Sequence, residues 1–274
     1  MPTTILPIDT VVTALTDEWT VLDDLVTSVT DEQWQAASVL PGWTVADIIA
    51  HVIGTESMLD GRAVDSTTDV ASLDHVHNPI GEFNEHWIEQ FRGSSRAEVM
   101  AALREIVDVR AGSLRSMTQA DFDAEAATPA GPDTYGRFMR IRVFDCWIHE
   151  IDIRDSTDGS TPSQPGSAEI ALSEIAASLP FVIAKKARTP QGTTVLLRIG
   201  GIAARDIRIV VEERARLVDE LPGGDDSADV VLTMDVVDLA RLVGGRSSAE
   251  PSRVVVDGHQ ALGQAIVENL AYVI

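Results

Sequence analysis

Cysteine, lysine and long apolar runs are all scarce in this chain, and each scarcity removes a class of function. Cys146 is the only cysteine among 274 residues. One thiol cannot close an intramolecular disulfide or form a CxxC metal or redox motif, which suits a reducing compartment. Lysine occurs only at Lys185 and Lys186, and the formal charge is −22. A surface of that sign repels nucleic-acid phosphates and anionic lipid, so nucleic acid and membrane are not expected as partners. No uninterrupted apolar run approaches the roughly 18 to 20 residues of a membrane helix, and Met1 to Pro7 carry no basic region followed by an apolar one. The expectation is a soluble, cytoplasmic protein. A nucleophile elbow, a P-loop and a dinucleotide-binding fingerprint are also missing, so acyl-serine, nucleotide and nicotinamide chemistry lose their usual signatures.

What is present reads as two domains. A hydrophobic content of 45% over this length can fill one large core or two modest ones. From Asp9 to Val29 apolar residues recur at helical intervals (Val12, Leu15, Trp19, Leu22, Leu25, Val26). Thr30 to Gln33 reads as a capping box, Pro41-Gly42 as a turn, and Thr44 to Asp47 as the start of a second helix running to about Leu59, with Val45, Ile48, Ile49, Val52 and Ile53 as its apolar stripe. Residues 60–79 read as a polar loop, followed by helices over Phe83 to Phe91, Ser95 to Met117 and, after a loop at Thr128 to Pro132, Thr134 to Arg154. Residues 1–158 are therefore expected to be all α. The turn-forming stretch from Asp155 to Gly166 is a linker. Beyond it, a helix over Ala168 to Lys186 precedes β-branched runs at Thr193 to Ile199, Asp206 to Val211, Ala215 to Val218 and Asp229 to Thr233, and helices at Val236 to Val243 and Ala261 to Tyr272. Residues 167–274 are expected to form a small α+β domain with a mostly antiparallel sheet.

The segment from Phe138 to Arg154 concentrates the candidate chemistry. At ~100° per residue, Arg142, Asp145, His149 and Asp152 fall within one stripe of about 80°, beside an apolar stripe of Ile141, Phe144, Ile148 and Ile151. Val143 and Trp147 carry the apolar surface further round, so most of this helix should be buried. A carboxylate and an imidazole at i and i+4 can chelate one cation, since their Cβ atoms sit ~6 Å apart. The same spacing suits a plain hydrogen bond on a half-exposed face, and spacing alone leaves both readings open. His51, on the second helix beside Thr55 and Met58, lies away from the centre of its apolar stripe and supplies a third donor, although a lone helical histidine more often serves structure. Two helices presenting such groups inward would build a three-ligand site with one open position. His75 and His77 form an HxH pair in the polar loop, where solvation is the simpler reading. His86 and His259 read as packing or capping residues and Cys146 as a buried, inert thiol.

Two stretches carry a family resemblance. Gly42-Trp43-Thr-Val-Ala-Asp47-Ile-Ile-Ala-His51 resembles the first signature of the mycothiol-dependent maleylpyruvate isomerase-like proteins of the DinB superfamily. Phe144-Asp145-Cys-Trp-Ile-His149-Glu-Ile-Asp152-Ile-Arg154 resembles the second. From Leu179 onward the chain is similar to the family's small sterol-carrier-like domain, with Asp229-Val-Val-Leu232 and Leu242-Val-Gly-Gly-Arg246 in the corresponding places. The resemblance implies a DinB-like four-helix bundle that binds a divalent metal, zinc first, through His51, Asp145 and His149. It also implies mycothiol as thiol cosubstrate and a small electrophile as substrate, in a monomer or homodimer. The family pattern has Glu where this chain has Asp145, one methylene shorter, but still an oxygen donor acceptable to zinc. Arg142 and Arg246 are candidates for holding an anionic substrate or thiol, because a guanidinium pairs carboxylates in bidentate fashion; salt bridges are the competing reading for each. Isomerase and S-transferase chemistry both remain open. So do a non-catalytic small-ligand-binding protein and a metal sensor whose ion only locks the bundle.

Overall fold

In a computed structural model, residues 4–64 and 66–273 are described; residues 1–3 of the opening segment, Asp65 of the predicted polar loop and Ile274 lie outside them. The chain divides into two compact units, one reaching Pro162 and the other spanning Ser163–Val273.

The first unit contains α1 (Ile8–Ser28), α2 (Asp31–Trp34), α3 (Val45–Leu59), α4 (Pro79–Phe91), α5 (Arg96–Ser116), α6 (Gln119–Phe122), β1 (Glu125–Thr128), β2 (Gly131–Thr134) and α7 (Tyr135–Thr157). The helices α1, α3, α5 and α7 form a four-helix ring in which α1 and α3 each touch both α5 and α7. The apolar stripes dictate this arrangement. Val12, Leu15, Trp19, Leu22, Leu25 and Val26 of α1 are buried, as are Val45, Ile48, Ile49, Val52 and Ile53 of α3. The β-branched residues of α3 are middling helix formers, but each buried side chain contributes about 1.5–3 kcal/mol, more than its helix-propensity deficit. Gly54 lets α4 approach α3: a Cβ there would stand 2.4 Å from the side chain of Trp87.

Helix starts follow the capping chemistry. Thr30 with Gln33, Thr44 with Asp47 and Ser95 with Glu98 form the expected boxes, and Thr118 with Asp121 adds a fourth. The helix predicted from Phe83 begins earlier, at Pro79, because Asn78 Oδ1 accepts from the amides of Ile80 and Gly81 and proline suits the first helical turn. The unit departs from all-α in the antiparallel hairpin β1–β2, which occupies the stretch read as a loop. Its strands, EAAT and GPDT, lack the β-branched alternation that marks strands, and the hairpin is held by packing against α7.

The second unit opens with α8 (Pro165–Phe181), which continues through a π-helical turn at Val182–Lys186. Pro180 has no amide to donate, which accounts for the loosened register there. The span Pro165–Lys186 is long and apolar enough to cross a membrane by length and composition, yet Ala168, Ala171, Leu172, Ile175, Leu179, Val182 and Ile183 are all buried. The strands β3 (Thr194–Gly200), β4 (Arg205–Val211), β5 (Ala215–Val218), β6 (Val230–Asp235) and β7 (Val255–Gly258) lie in the order β5-β4-β3-β6-β7. Only the β3–β6 pairing is parallel, and β7 was not anticipated. Helix α8 packs on β4 and β5, while α9 (Val236–Val243) meets β6 and α10 (Gln260–Glu268) meets β6 and β7. Central β3 is covered on both faces, since consecutive Val195, Leu196 and Leu197 are all fully buried.

Candidate metal centre

Helix α3 carries His51 and the adjacent α7 carries Asp145 and His149, one turn apart. One ligand atom from each of the three lies within 4.8 Å of the others. His51 Nε2 is 3.2 Å from Asp145 Oδ2, His149 Nε2 is 3.8 Å from Asp145 Oδ1, and the imidazole centroids are 4.9 Å apart. Donors bound at about 2.0–2.2 Å around one ion stand roughly 3.3–3.6 Å from each other, so a small inward shift of the side chains would suffice. The donor set fits a divalent ion in other respects too. His149 Nδ1 is 2.9 Å from Oδ2 of fully buried Asp152, which turns Nε2 toward the cluster, the carboxylate–imidazole arrangement common behind metal ligands. His51 lacks that support, since its Nδ1 is buried without a hydrogen-bond partner and its ring packs beside Trp43 instead.

The electrostatics favour the ligand forms of His51 and Asp145. Burial pushes the His51 imidazole toward neutrality, with His149 and Arg142 adding to the effect and Asp145 opposing it. Burial works against charge on Asp145, but Arg142 and the two imidazoles outweigh it and hold the carboxyl well below the usual carboxylate range. Burial likewise pushes the Cys146 thiol well up, so it stays protonated and inert.

Arg142 is buried and turned inward. Its Nε donates to Glu56 Oε1 at 2.8 Å, Nη1 to Asp145 Oδ2 at 2.5 Å and Nη2 to Cys146 Sγ at 3.5 Å. Glu56 accepts from a second buried guanidinium through its other oxygen, Arg110 Nε to Oε2 at 3.0 Å. Arg246 belongs to the second unit, on the turn after α9, where Nη1 donates to Gly244 O at 2.9 Å.

A wall of the site comes from residues that sequence reasoning did not single out. The Trp43 ring lies 5.4 Å from the His51 ring and 6.3 Å from that of His149. Its Nε1 donates to Oε2 of Glu85, a fully buried carboxylate on α4 that also meets His75 Nε2 at 3.2 Å and Arg92 Nη2 at 2.6 Å. His75 therefore serves as a partner of Glu85 while His77 is exposed, and a Cβ on Gly42, whose φ is +80°, would stand 2.3 Å from the His75 ring. The signal was the Gly42-Trp43 pair preceding the α3 cap; its target on α4 lay 42 residues away. His86 meets Ser66 Oγ at 3.1 Å, and His259 caps α10. With both imidazoles only 5% exposed, solvent reaches the cluster past half-buried Asp145 and Trp43.

The sequence profile of the mycothiol maleylpyruvate isomerase N-terminal domain matches residues 15–154, the whole span of these ligands. The chain belongs to the mycothiol maleylpyruvate isomerase family. The matching C-terminal domain of the family covers residues 169–265. The crystal structure of the mycothiol-dependent maleylpyruvate isomerase superposes with a TM-score of 0.60 at 18% identity, covering 94% of this chain and 96% of that one. A histidine-to-alanine mutant of that isomerase gives 0.58 at 17% identity with the same coverage. At such identity the likeness establishes the fold. Uncharacterised proteins from two strains of Mycobacterium tuberculosis are 26% identical over 156 residues, which span 55% of this chain and 57% of theirs.

Proposed function

We propose that this member of the family is a divalent-metal- and mycothiol-dependent enzyme acting on a small electrophile in the cytoplasm, as an isomerase or a thiol S-transferase, with zinc as the preferred ion. The observation that carries this reading is the convergence of His51, Asp145 and His149 from two helices, with the Trp43 ring beside both imidazoles. Three protein ligands, one fewer than a closed structural site has, favour catalysis over an ion that merely locks the bundle. When bound, the ion supplies a Lewis acid that lowers the pKa of a thiol sulfur at neutral pH.

The chain's own residues do the remaining work. Burial keeps His51 neutral, Asp152 orients His149, and Arg142 keeps Asp145 ionised and in place. Trp43 walls the approach. A thiolate in this space would add to one carbon of a conjugated double bond, with the electron pair moving into the adjacent carbonyl. Rotation about the new single bond and departure of the same sulfur isomerises the substrate, whereas protonation of the adduct leaves a thioether. Within the second unit taken by itself, we propose Arg246 as a guanidinium able to hold a carboxylate. A monomer or homodimer would serve this chemistry, with no nucleic acid or membrane partner.

The test is elemental analysis of the purified protein beside His51→Ala and His149→Ala. The expected result is one equivalent of a divalent metal in the wild type and none in either variant. A metal-free wild type that also fails to take up zinc on reconstitution would overturn the reading.

A further inference from the structure

The carboxylate ligand, Asp145, has a fixed partner behind it. Its carboxylate is 29% exposed, so an unrestrained side chain could swing toward water and leave the two imidazoles. Arg142, three residues earlier on α7, prevents this by bonding Oδ2. Arg142 alone would be a poor restraint, because its stem has several rotatable bonds. Its guanidinium plane is fixed by Glu56 on α3, which accepts at Nε, and by the Cys146 sulfur at Nη2. The other oxygen of Glu56, Oε2, accepts in a separate ion pair from Arg110 on α5, whose Nη2 donates to Tyr135 Oη at 2.9 Å. Glu56 and Arg142 are almost fully buried, so water cannot substitute for the missing partner if one is removed.

We infer that Glu56 and Arg142 are positioning residues of the metal centre, a buried relay that holds the partly exposed Asp145 in ligand geometry. The inference rests on the metal-site reading above and adds to it two residues that touch no substrate. It also changes the part given to Arg142: a guanidinium with Nε, Nη1 and Nη2 all engaged inside the bundle is a clamp on a ligand, and substrate recognition falls to other groups.

Arg110 provides the control, because it makes an equally buried ion pair with Glu56 and is not among the partners of Asp145 or the imidazoles. A purely structural network predicts that Arg110→Lys and Arg142→Lys behave alike; a positioning relay predicts that they separate. The experiment is calorimetric titration of metal-free protein with Zn²⁺, paired with thermal melts, for wild type, Glu56→Gln, Arg142→Lys and Arg110→Lys. The expected result is that Zn²⁺ Kd rises about 10–100-fold in Glu56→Gln and Arg142→Lys, the usual loss when a partner behind a ligand is removed. Arg110→Lys should lower Tm while keeping Kd within about threefold, well short of that loss. Equal weakening in both lysine variants, or unchanged Kd in Arg142→Lys, would overturn the relay. If Arg142→Lys does not fold, Glu56→Gln against Arg110→Lys makes the same comparison. A wild type that takes up no Zn²⁺ would instead sink the metal-site reading itself, and the two failures are thereby distinguishable.

Discussion

The two units both bury apolar side chains, but they differ sharply in how many ionisable ones they bury with them. The interior of the bundle holds Glu18, Asp47, His51, Glu56, Glu85, Arg110, Arg140, Arg142, His149, Glu150 and Asp152, whereas Glu174 is the one buried ionisable group in the second unit among the described residues. That unit instead fills its sheet with Val195, Leu196, Leu197, Ile209, Val230 and Leu232. Desolvating a charge costs several kcal/mol that its partner's attraction at best repays, so a core of this kind is not the most stabilising way to hold four helices together. The contrast teaches that the bundle is organised around a polar site and that the second unit is organised around ordinary apolar packing.

The sharpest way to break that comparison is at Glu56. Glu56→Ala leaves two buried guanidinia without their shared acceptor and should cost about 3–5 kcal/mol in denaturant unfolding. Replacing Glu56, Arg110 and Arg142 together with Met, Met and Leu should recover most of that stability while abolishing tight Zn²⁺ binding. A triple variant that is both unstable and competent for metal would show that the network serves the fold. Next in size, Leu197→Ala at the centre of β3 should cost about 2–5 kcal/mol through the cavity it leaves, with the metal stoichiometry unchanged. Loss of metal in that variant would mean that the two units are not separable in this way.

The smallest effect belongs to the bundle's rim. Burial opposes charge on Asp133, but hydrogen bonds from Thr4, Arg137 and Thr134 prevail and bring its pKa down to about 2. A carboxyl depressed from an unfolded value of ~3.9 stabilises the fold above about pH 4, and that contribution is lost as pH falls from about 4 toward 2. Asp133→Asn should therefore narrow the difference between urea midpoints measured at neutral pH and at about pH 3. An unchanged difference would remove Asp133 from the acid response.

Much of the fold was legible from local pattern. The stripes on α1 and α3, the three capping boxes and the first four strands of the sheet all follow from periodicity and cap chemistry, which act over a few residues. The β1–β2 hairpin and β7 were not legible, because four-residue strands carry too little periodicity and their stability comes from neighbours. In the site, Asp145 and His149 stood out because they share a helical face, and His51 because it departs from an apolar one. Glu56 and Glu85 did not, because a glutamate on a helix reads as surface until the partner across the bundle is known.

The sequence by itself determined the main helices of the bundle, the family and which residues offer donor atoms to the candidate metal centre. Tertiary structure alone decided that β6 pairs in parallel with β3, that Trp43 closes one side of the cluster, and that Arg142 faces inward. The physical reason is range. Periodicity, capping and i,i+4 spacing are written within single elements, whereas the ion pairs of Glu56 and Glu85 exist only once α3, α4, α5 and α7 exclude water from between them.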